Sequence, residues 1–513
     1  VRLFFILILS ILFCNVLVAQ VDKDGQPVSW SLESEIAPNT QFLELTPPDV
    51  EALLAEDILV NQCKDQPFRF ASSIAVVIEP LNDGQWINRH NGDRVWMMGI
   101  RAEGALSLGV TFGNLSIPKG AYLYIYNSSR SDFIGPINSS NNKSNQPMGT
   151  IPVYGDEIVV EYFEPFEVRG DGQFTISSVA FGYRDVSGDN DDQPCLISFT
   201  ASGNSLVETA SSSVQLMLVD NCTRVVSGVL LNNTSNNGTP YFLTTHTADY
   251  GNPESWLFVF NVNQQQCDGT LNCWGRSLSG AKMLLHDEES NIALLQLDEL
   301  PPGKWNTFYS GWNFNADIGN EIYCMQYALA QPLSVSVSDN EPSAQWWEAK
   351  QKNALEVQSW QSGMTFPGSA GSPLFNSQGH VVSTFLGGNN NCRGWGKDYF
   401  SDMSECWEQL EPYLDPKRKG SKTHDGFFPS NAIRPDSKEV VMLFPNPANA
   451  LVNVNFNGEE SLLRVLIFDQ TGRQVKNISP QFPQFQVNEL GSGIYSVSLV
   501  FETFVHHKTL VVK

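Results

Sequence analysis

The sequence predicts a mostly β protein divided into several domains. Short runs rich in Val, Ile, Tyr and Phe recur at regular intervals, and Gly, Asn and Pro punctuate them as turn residues do. The length of 513 residues exceeds what one hydrophobic core holds, since domains typically run to ~100–200 residues; two to four domains follow.

Residues 1–20 read as a secretory signal peptide. Arg2 supplies the positive start, Leu3 to Val16 the apolar stretch, and Leu17-Val18-Ala19 a small-residue cleavage pattern before Gln20. A first residue of Val rather than Met fits either an alternative start codon or a clipped end. After the signal no apolar run approaches the ~20 residues a membrane helix needs, so no transmembrane segment is expected.

Residues 21–193 are expected to form the first domain, a β-sandwich. Its strands are read at Ile74 to Ile78, Arg94 to Ile100, Ser107 to Phe112, Ala121 to Tyr126, Glu157 to Phe163 and Phe174 to Phe181. Asp185 to Gln193 holds four Asp residues and reads as a solvated linker, or a processing site, rather than a calcium loop, because its oxygens lack EF-hand order. Residues 194–416 form the second unit, again strand-rich, with a helix-like end at Ser404 to Tyr413. Lys417 to Lys438, with Lys-Arg-Lys, Gly, Ser and Pro, reads as a tether. Residues 439–513 resume period-two alternation at Leu451, Val454 and Phe456 and at Leu463, Val465 and Ile467, which predicts a small third sandwich.

Charge and cysteines narrow the function. With 55 acidic against 31 basic side chains, the net charge of -24 opposes nucleic acid and anionic membrane surfaces. Of nine cysteines, Cys14 falls in the signal; Cys63, Cys195, Cys222, Cys267, Cys273, Cys324, Cys392 and Cys406 remain, an even number that suits disulfides in an exported chain. No CxxC pair exists and the histidines are scattered, so neither a metal site nor a cofactor is expected.

The most specific local signal is Pro367-Gly368-Ser369-Ala370-Gly371-Ser372-Pro373-Leu374-Phe375. It is similar to the Gly-Ser-Ser-Gly-Ser-Pro nucleophile loop of lysyl endopeptidases, a bacterial branch of the trypsin-like serine proteases. Tyr241-Phe242-Leu243-Thr244-Thr245-His246 resembles the strand leading into the catalytic histidine, and Ser290-Asn291-Ile292-Ala293-Leu294-Leu295-Gln296-Leu297 the strand carrying the orienting Asp. Gly311-Trp312 and the run from Trp407 to Leu414-Asp415-Pro416 follow in family order. The resemblance implies a trypsin-like double β-barrel with the site in the cleft between barrels.

Carried over residue by residue, the resemblance gives a triad with every position substituted. The nucleophile position is Ala370, the base Thr247 and the orienting acid Asn291. A methyl group cannot attack a carbonyl, a Thr hydroxyl is a far weaker base than imidazole, and an amide carries no charge to stabilise an imidazolium. Loss of a principal triad member costs up to roughly a millionfold in rate. A one-residue deletion would restore His246 to the base position, but neighbours on an extended chain point to opposite faces. Ser369 and Ser372 flank Ala370, yet a tight loop aims only one side chain into the cleft.

The disulfide that the family places beside its histidine is also absent, its positions being Val226 and Ala248. The resemblance pairs Cys195 with Cys392; Cys267 with Cys273 would close a short loop. Binding apparatus survives in the same carry-over: the Gly368 and Ala370 amides match an oxyanion hole. Asp398, nine residues before Trp407, matches the acid at the base of a pocket for Lys or Arg. The alternative for Asp398 is a surface loop acid, since Phe400, Ser401 and Asp402 depart from the family's Tyr-Gly-Arg.

Arg94-Val95-Trp96, Pro118-Lys119-Gly120-Ala121-Tyr122 and Tyr154-Gly155-Asp156-Glu157 resemble the pre-protease domain that precedes such units. Phe444-Pro445-Asn446-Pro447-Ala448, Ile467-Phe468-Asp469-Gln470-Thr471-Gly472-Arg473 and Leu490-Gly491-Ser492-Gly493-Ile494-Tyr495 resemble the C-terminal sorting domain of the type IX secretion system, an Ig-like β-sandwich. That implies the type IX machinery as a partner and export to the surface or medium of a Bacteroidetes-like bacterium. Three functions stay open at this point: a pseudoprotease binding a peptide or protein, possibly through Lys; an endopeptidase with an unusual nucleophile; or a structural surface protein.

Overall fold

The structure is a computed structural model. It describes residues 25–31, 40–143, 146–186, 195–199, 203–245, 250–262, 274, 276–315, 318–348, 350–393, 395–429, 442–444, 448, 450–455, 462–469, 474–478, 484–501 and 505–512. The signal peptide 1–20 lies outside these residues, as does most of Asp185 to Gln193.

Two antiparallel sheets make the first sandwich. One runs in the order Phe42–Glu44, Arg94–Arg101, Glu157–Glu164, Tyr122–Asn127, Phe133–Asn138, with Gln85–Asn88 also on Arg94–Arg101; only Phe42–Glu44 pairs in parallel. The other runs Val153–Tyr154, Ser107–Ser116, Gln173–Gly182, Ala71–Ile78. Alternation explains the packing: Trp96, Met98, Ile100, Ile158 and Val160 of one sheet share a core with Leu108, Val110, Phe112, Phe174 and Ile176 of the other. The opposite face of Arg94–Arg101 is also covered, because Val95 and Met97 pack with Val28, Tyr124, Tyr126 and Val159.

Each predicted strand of this domain is present, five of them longer by one to four residues and the one expected at Ala121 to Tyr126 shifted to Tyr122–Asn127. A helix at Val50–Val60 was not predicted. Its start has a local cause: the Asp49 carboxylate accepts the Ala52 amide at 3.0 Å.

The second unit consists of two larger sheets. The first is ordered Ser277–Ser279, Leu257–Val259, Val214–Val219, Arg224–Leu231, Tyr241–Thr245, Ile292–Leu297, Ala281–Asp287. The second is ordered Ser334–Ser338, Ile322–Gln326, Pro373–Asn376, Val381–Gly388, Asp398–Phe400, Lys352–Val357, Ser343–Trp347. The C-terminal helix spans Trp407–Leu414.

Two departures from the sequence reading bear on the site. Phe68–Arg69, between the sandwich strands Phe42–Glu44 and Ala71–Ile78, pairs with Val225 and Arg224 in the second unit. The front of the expected tether is also built in: Thr423–His424 pairs with Trp312–Asn313, and Phe427 and Tyr309 exchange backbone hydrogen bonds at 3.0 Å. Aromatic contacts overrode the polar composition there, as half-buried Phe427 meets Tyr309 and Phe428 meets Phe308 in tilted ring pairs.

The even cysteine count misleads. Cys195 and Cys392 form a disulfide, but Cys63, Cys222, Cys324 and Cys406 are free. Cys222, Cys324 and Cys406 are buried and behave as small hydrophobes within their cores. Cys267 and Cys273 lie outside the described residues.

The C-terminal unit, described by itself, is a sandwich of three strands (Met442–Phe444, Leu451–Asn455, Gln484–Gln486) on four (Gln474–Ile478, Leu462–Phe468, Gly493–Phe501, Val505–Val512). Its core holds Val452, Val454, Val465, Ile467, Phe485 and Leu499. Leu451, cited in the alternation, is exposed, because the strand's inward register falls on Val452 and Val454.

Candidate binding cleft

The loop from Pro367 to Ser372 is fixed by hydrogen bonds to both sheets of the second unit. The Ser227 amide donates to the Ala370 carbonyl at 3.0 Å, the Ser227 hydroxyl to the Gly368 carbonyl at 3.1 Å, and the Gly371 amide to the Phe385 carbonyl at 3.0 Å. Gly368 and Gly371 have φ of 95° and 79°, which L side chains rarely adopt. A Cβ on Gly371 would also strike the Thr244 hydroxyl and the Ser227 carbonyl.

Within this loop Ala370 has no exposure, and its methyl joins an apolar cluster with Met217, Val219, Val226 and Phe242. Val226 occupies a position where the resemblance expected half of a disulfide. Neither flanking serine is exposed: Ser369 Oγ accepts the Phe366 amide at 3.0 Å, and Ser372 Oγ is buried.

Asn291 stands in the left-handed region at φ 57°, a conformation Asn tolerates. Its Nδ2 donates to Thr245 Oγ1 at 2.9 Å. Thr245 lies beside Gly371, so Asn291, Thr245 and the Ala370 loop are neighbours. His246, Thr247 and Ala248 lie outside the described residues.

Asp398 is a fully buried strand residue, not a surface loop acid. Its Oδ2 accepts Trp360 Nε1 and Thr365 Oγ1, both at 2.7 Å. Its Oδ1 lies 3.7 Å from Lys64 Nζ. That ammonium also donates to Thr365 Oγ1 at 3.0 Å and to the Asn390 carbonyl at 2.6 Å. Burial lowers the Lys64 ammonium below the ordinary lysine value, while the charge of Asp398 and hydrogen bonding to it act to raise it. The pocket therefore has an acidic base, a hydroxyl wall and a carbonyl rim suited to a primary ammonium.

Beside this pocket lies a cavity of about 160 Å³ bordered by Asp65, Gln66, Asn291, Lys350, Lys352 and Leu386. Asp65 pairs with Lys350, and the Tyr250 hydroxyl donates to Gln66. Among the described residues no cluster of His, Cys, Asp and Glu could hold a metal ion.

Sequence reasoning singled out Asp398 but not Lys64, Trp360 and Thr365, which the structure places against it. Lys64 sits between a helix and a strand in a stretch without periodicity, and no local pattern marks it. Trp360 and Thr365 carry no motif, and their role depends on strands distant in sequence.

The two large sheets of the second unit and the cleft that they flank are similar to the arrangement of a trypsin-like serine-protease fold. Residues 190–401 match the family model described as lysyl endopeptidase, C-terminal domain. Residues 442–513 match the secretion system C-terminal sorting domain. Over residues 190–401 the chain is similar to that protease family, and the C-terminal sorting domain, of the type IX kind found in Bacteroidetes-like bacteria, indicates export to the cell surface or medium.

Solved structures similar to this chain include the serine endoprotease from Yersinia pestis, 13% identical over 60% of this chain and 95% of its own, with a TM-score of 0.27. Another is the MamO protease domain from Magnetospirillum magneticum in its apo form, 16% identical over 39% of this chain and 97% of its own, with a TM-score of 0.26. Among the described residues no helix is long and apolar enough to cross a membrane.

Proposed function

We propose that the cleft binds a lysine-bearing peptide or protein segment without hydrolysing it. The observation that carries this reading is the combination of a methyl group at Ala370 with a buried acidic pocket at Asp398 whose present occupant is a lysine ammonium. A carboxylate with no exposure is retained at a desolvation cost that a bound cation offsets. In the nucleophile loop the atoms that would react are missing, while the glycine geometry that shapes the loop is kept. Ser369 is committed to the Phe366 amide and Ser372 is enclosed, which favours binding over hydrolysis by an unusual nucleophile.

Lysyl and arginyl ester substrates test the hydrolytic half of the reading. No turnover above the buffer rate is expected, and no covalent adduct with a serine-directed phosphonate by mass spectrometry. Ala370→Ser should remain inactive, because Thr247 supplies no base. Turnover that disappears in Ser369→Ala or Ser372→Ala would overturn the reading.

A further inference from the structure

The segment around Lys64 crosses the cleft. Upstream, the Cys63 carbonyl lies against Gly387, where an added Cβ would meet it at 2.7 Å, with Asp65 Cβ and Trp347 Cη2 both at 2.8 Å. Downstream, Asp65 pairs with Lys350 and Gln66 accepts from Tyr250. Phe68 then passes Gly368, its Cβ 3.3 Å from where a side chain on that glycine would begin. Phe68 and Arg69 finish the crossing as an antiparallel strand on Val225 and Arg224. Addition of a strand to a sheet edge, with one side chain in a pocket, is a recurrent mode of peptide recognition.

Both ends of the segment are held. Asp57, buried in the helix Val50–Val60, accepts Arg69 Nε at 2.8 Å, Arg184 Nη2 at 2.9 Å and the Tyr183 hydroxyl at 2.7 Å. The backbone at Lys64 is not that of an extended substrate: its φ is 53°, at the end of the 3-10 turn Asn61–Cys63. The side chain fills the pocket while the peptide bond after it is turned out of the extended path. That is the geometry of a blocker.

We propose that residues 61–69 are a built-in ligand of this cleft, with Lys64 as a pseudosubstrate side chain that an outside lysyl peptide must displace before it binds. This rests on the reading of the cleft as a lysine-binding site. The full mature chain is the material for the test, with anisotropy of a fluorescein-labelled peptide containing one internal lysine, and its norleucine counterpart as control. A cleft closed nine-tenths of the time weakens apparent affinity about tenfold. Lys64→Ala should therefore bind the lysyl peptide at least about tenfold more tightly than the parent, ignore the norleucine peptide, and lose binding when Asp398→Asn is added.

Equal, Asp398-dependent binding by parent and Lys64→Ala would overturn the blocker and leave the lysine pocket standing. Binding by neither would overturn both. A measurement on the unaltered chain guards against a variant that fails to fold: acetic anhydride should modify Lys64 at least about tenfold more slowly than exposed Lys119. Equal rates at the two lysines would overturn the proposal.

Discussion

At Asp398 a carboxylate without solvent exposure keeps one oxygen for Trp360 and Thr365 and turns the other toward Lys64, whose side chain is itself only 9% exposed. Breaking a buried pair by removing one partner typically costs ~3–5 kcal/mol, mainly because the survivor stays charged and unpaired. Lys64→Met and Asp398→Asn should each lower the unfolding free energy, read from urea titration, by an amount in that range. The double variant should lose clearly less than the sum of the single losses, because neither charge is then stranded. Strictly additive losses would show that the two groups are uncoupled. A second titratable residue sets a pH response. Burial raises Glu299 from 4.5 to about 7, with Lys143 opposing and Asp298 adding to the shift. Its raised value means that the folded state holds this proton longer than the unfolded chain does. The stability it contributes is full below pH 4.5 and is lost as pH rises through about 7. Glu299→Gln should flatten that part of the stability–pH curve, as read by thermal midpoints from pH 4 to 8.

Among the elements, the disulfide Cys195–Cys392 ties the start of the second unit to the loop that carries the Asn390 carbonyl, across 197 residues of sequence. Removing a native disulfide from an exported domain typically costs about 2–5 kcal/mol. The double variant Cys195→Ser/Cys392→Ser should show a lower thermal midpoint and, in the Lys64→Ala background, weaker lysyl-peptide binding, because the carbonyl rim of the pocket is no longer anchored. The same elements show what the sequence could and could not reveal. Strands such as Glu157–Glu164 were legible because a run of Ile, Val, Tyr and Phe is bounded there by turn residues, as a strand covered on both faces requires. The Pro367–Ser372 loop was legible because its glycines answer a local backbone demand. The helix Val50–Val60 was not, since Ile58 and Leu59 are exposed and its apolar residues form no clear stripe. Phe68–Arg69 is too short to carry a period, and its partner strand lies more than a hundred residues away. Lys64 reaches Asp398 only through the pairing of those distant strands, so nothing near it in sequence could announce the contact.

For the molecule as a whole, the first sandwich and the second unit do not have separate interiors. Phe70, with no exposure, meets Trp274 edge-on at 6.2 Å, and the Phe70 and Ala71 amides both donate to the Thr223 carbonyl. Met148 and Cys222 lie in the same core, and Gly149 passes so close to Cys222 Sγ that an added Cβ would collide with it and lie 3.1 Å from the Ser255 carbonyl. Lys143 pairs with Asp298 at 3.0 Å and donates to the Ser279 carbonyl. Overpacking a filled contact typically costs 1–3 kcal/mol, so Gly149→Val should lower the midpoint of a single unfolding transition shared by the two units. Cys222 gives the sharper test. Burial pushes its thiol up to about 12, so it carries almost no thiolate at neutral pH in the intact protein. Alkylation by iodoacetamide, located by mass spectrometry, should spare Cys222 in the full chain. In a fragment spanning residues 194–429 the same thiol loses Gly149, Met148 and the strand at Phe68–Arg69 as cover, and rapid modification is expected there. Equal protection in the fragment would mean that the second unit holds its core without the sandwich, and that the Lys64 segment reaches the cleft from a separable domain.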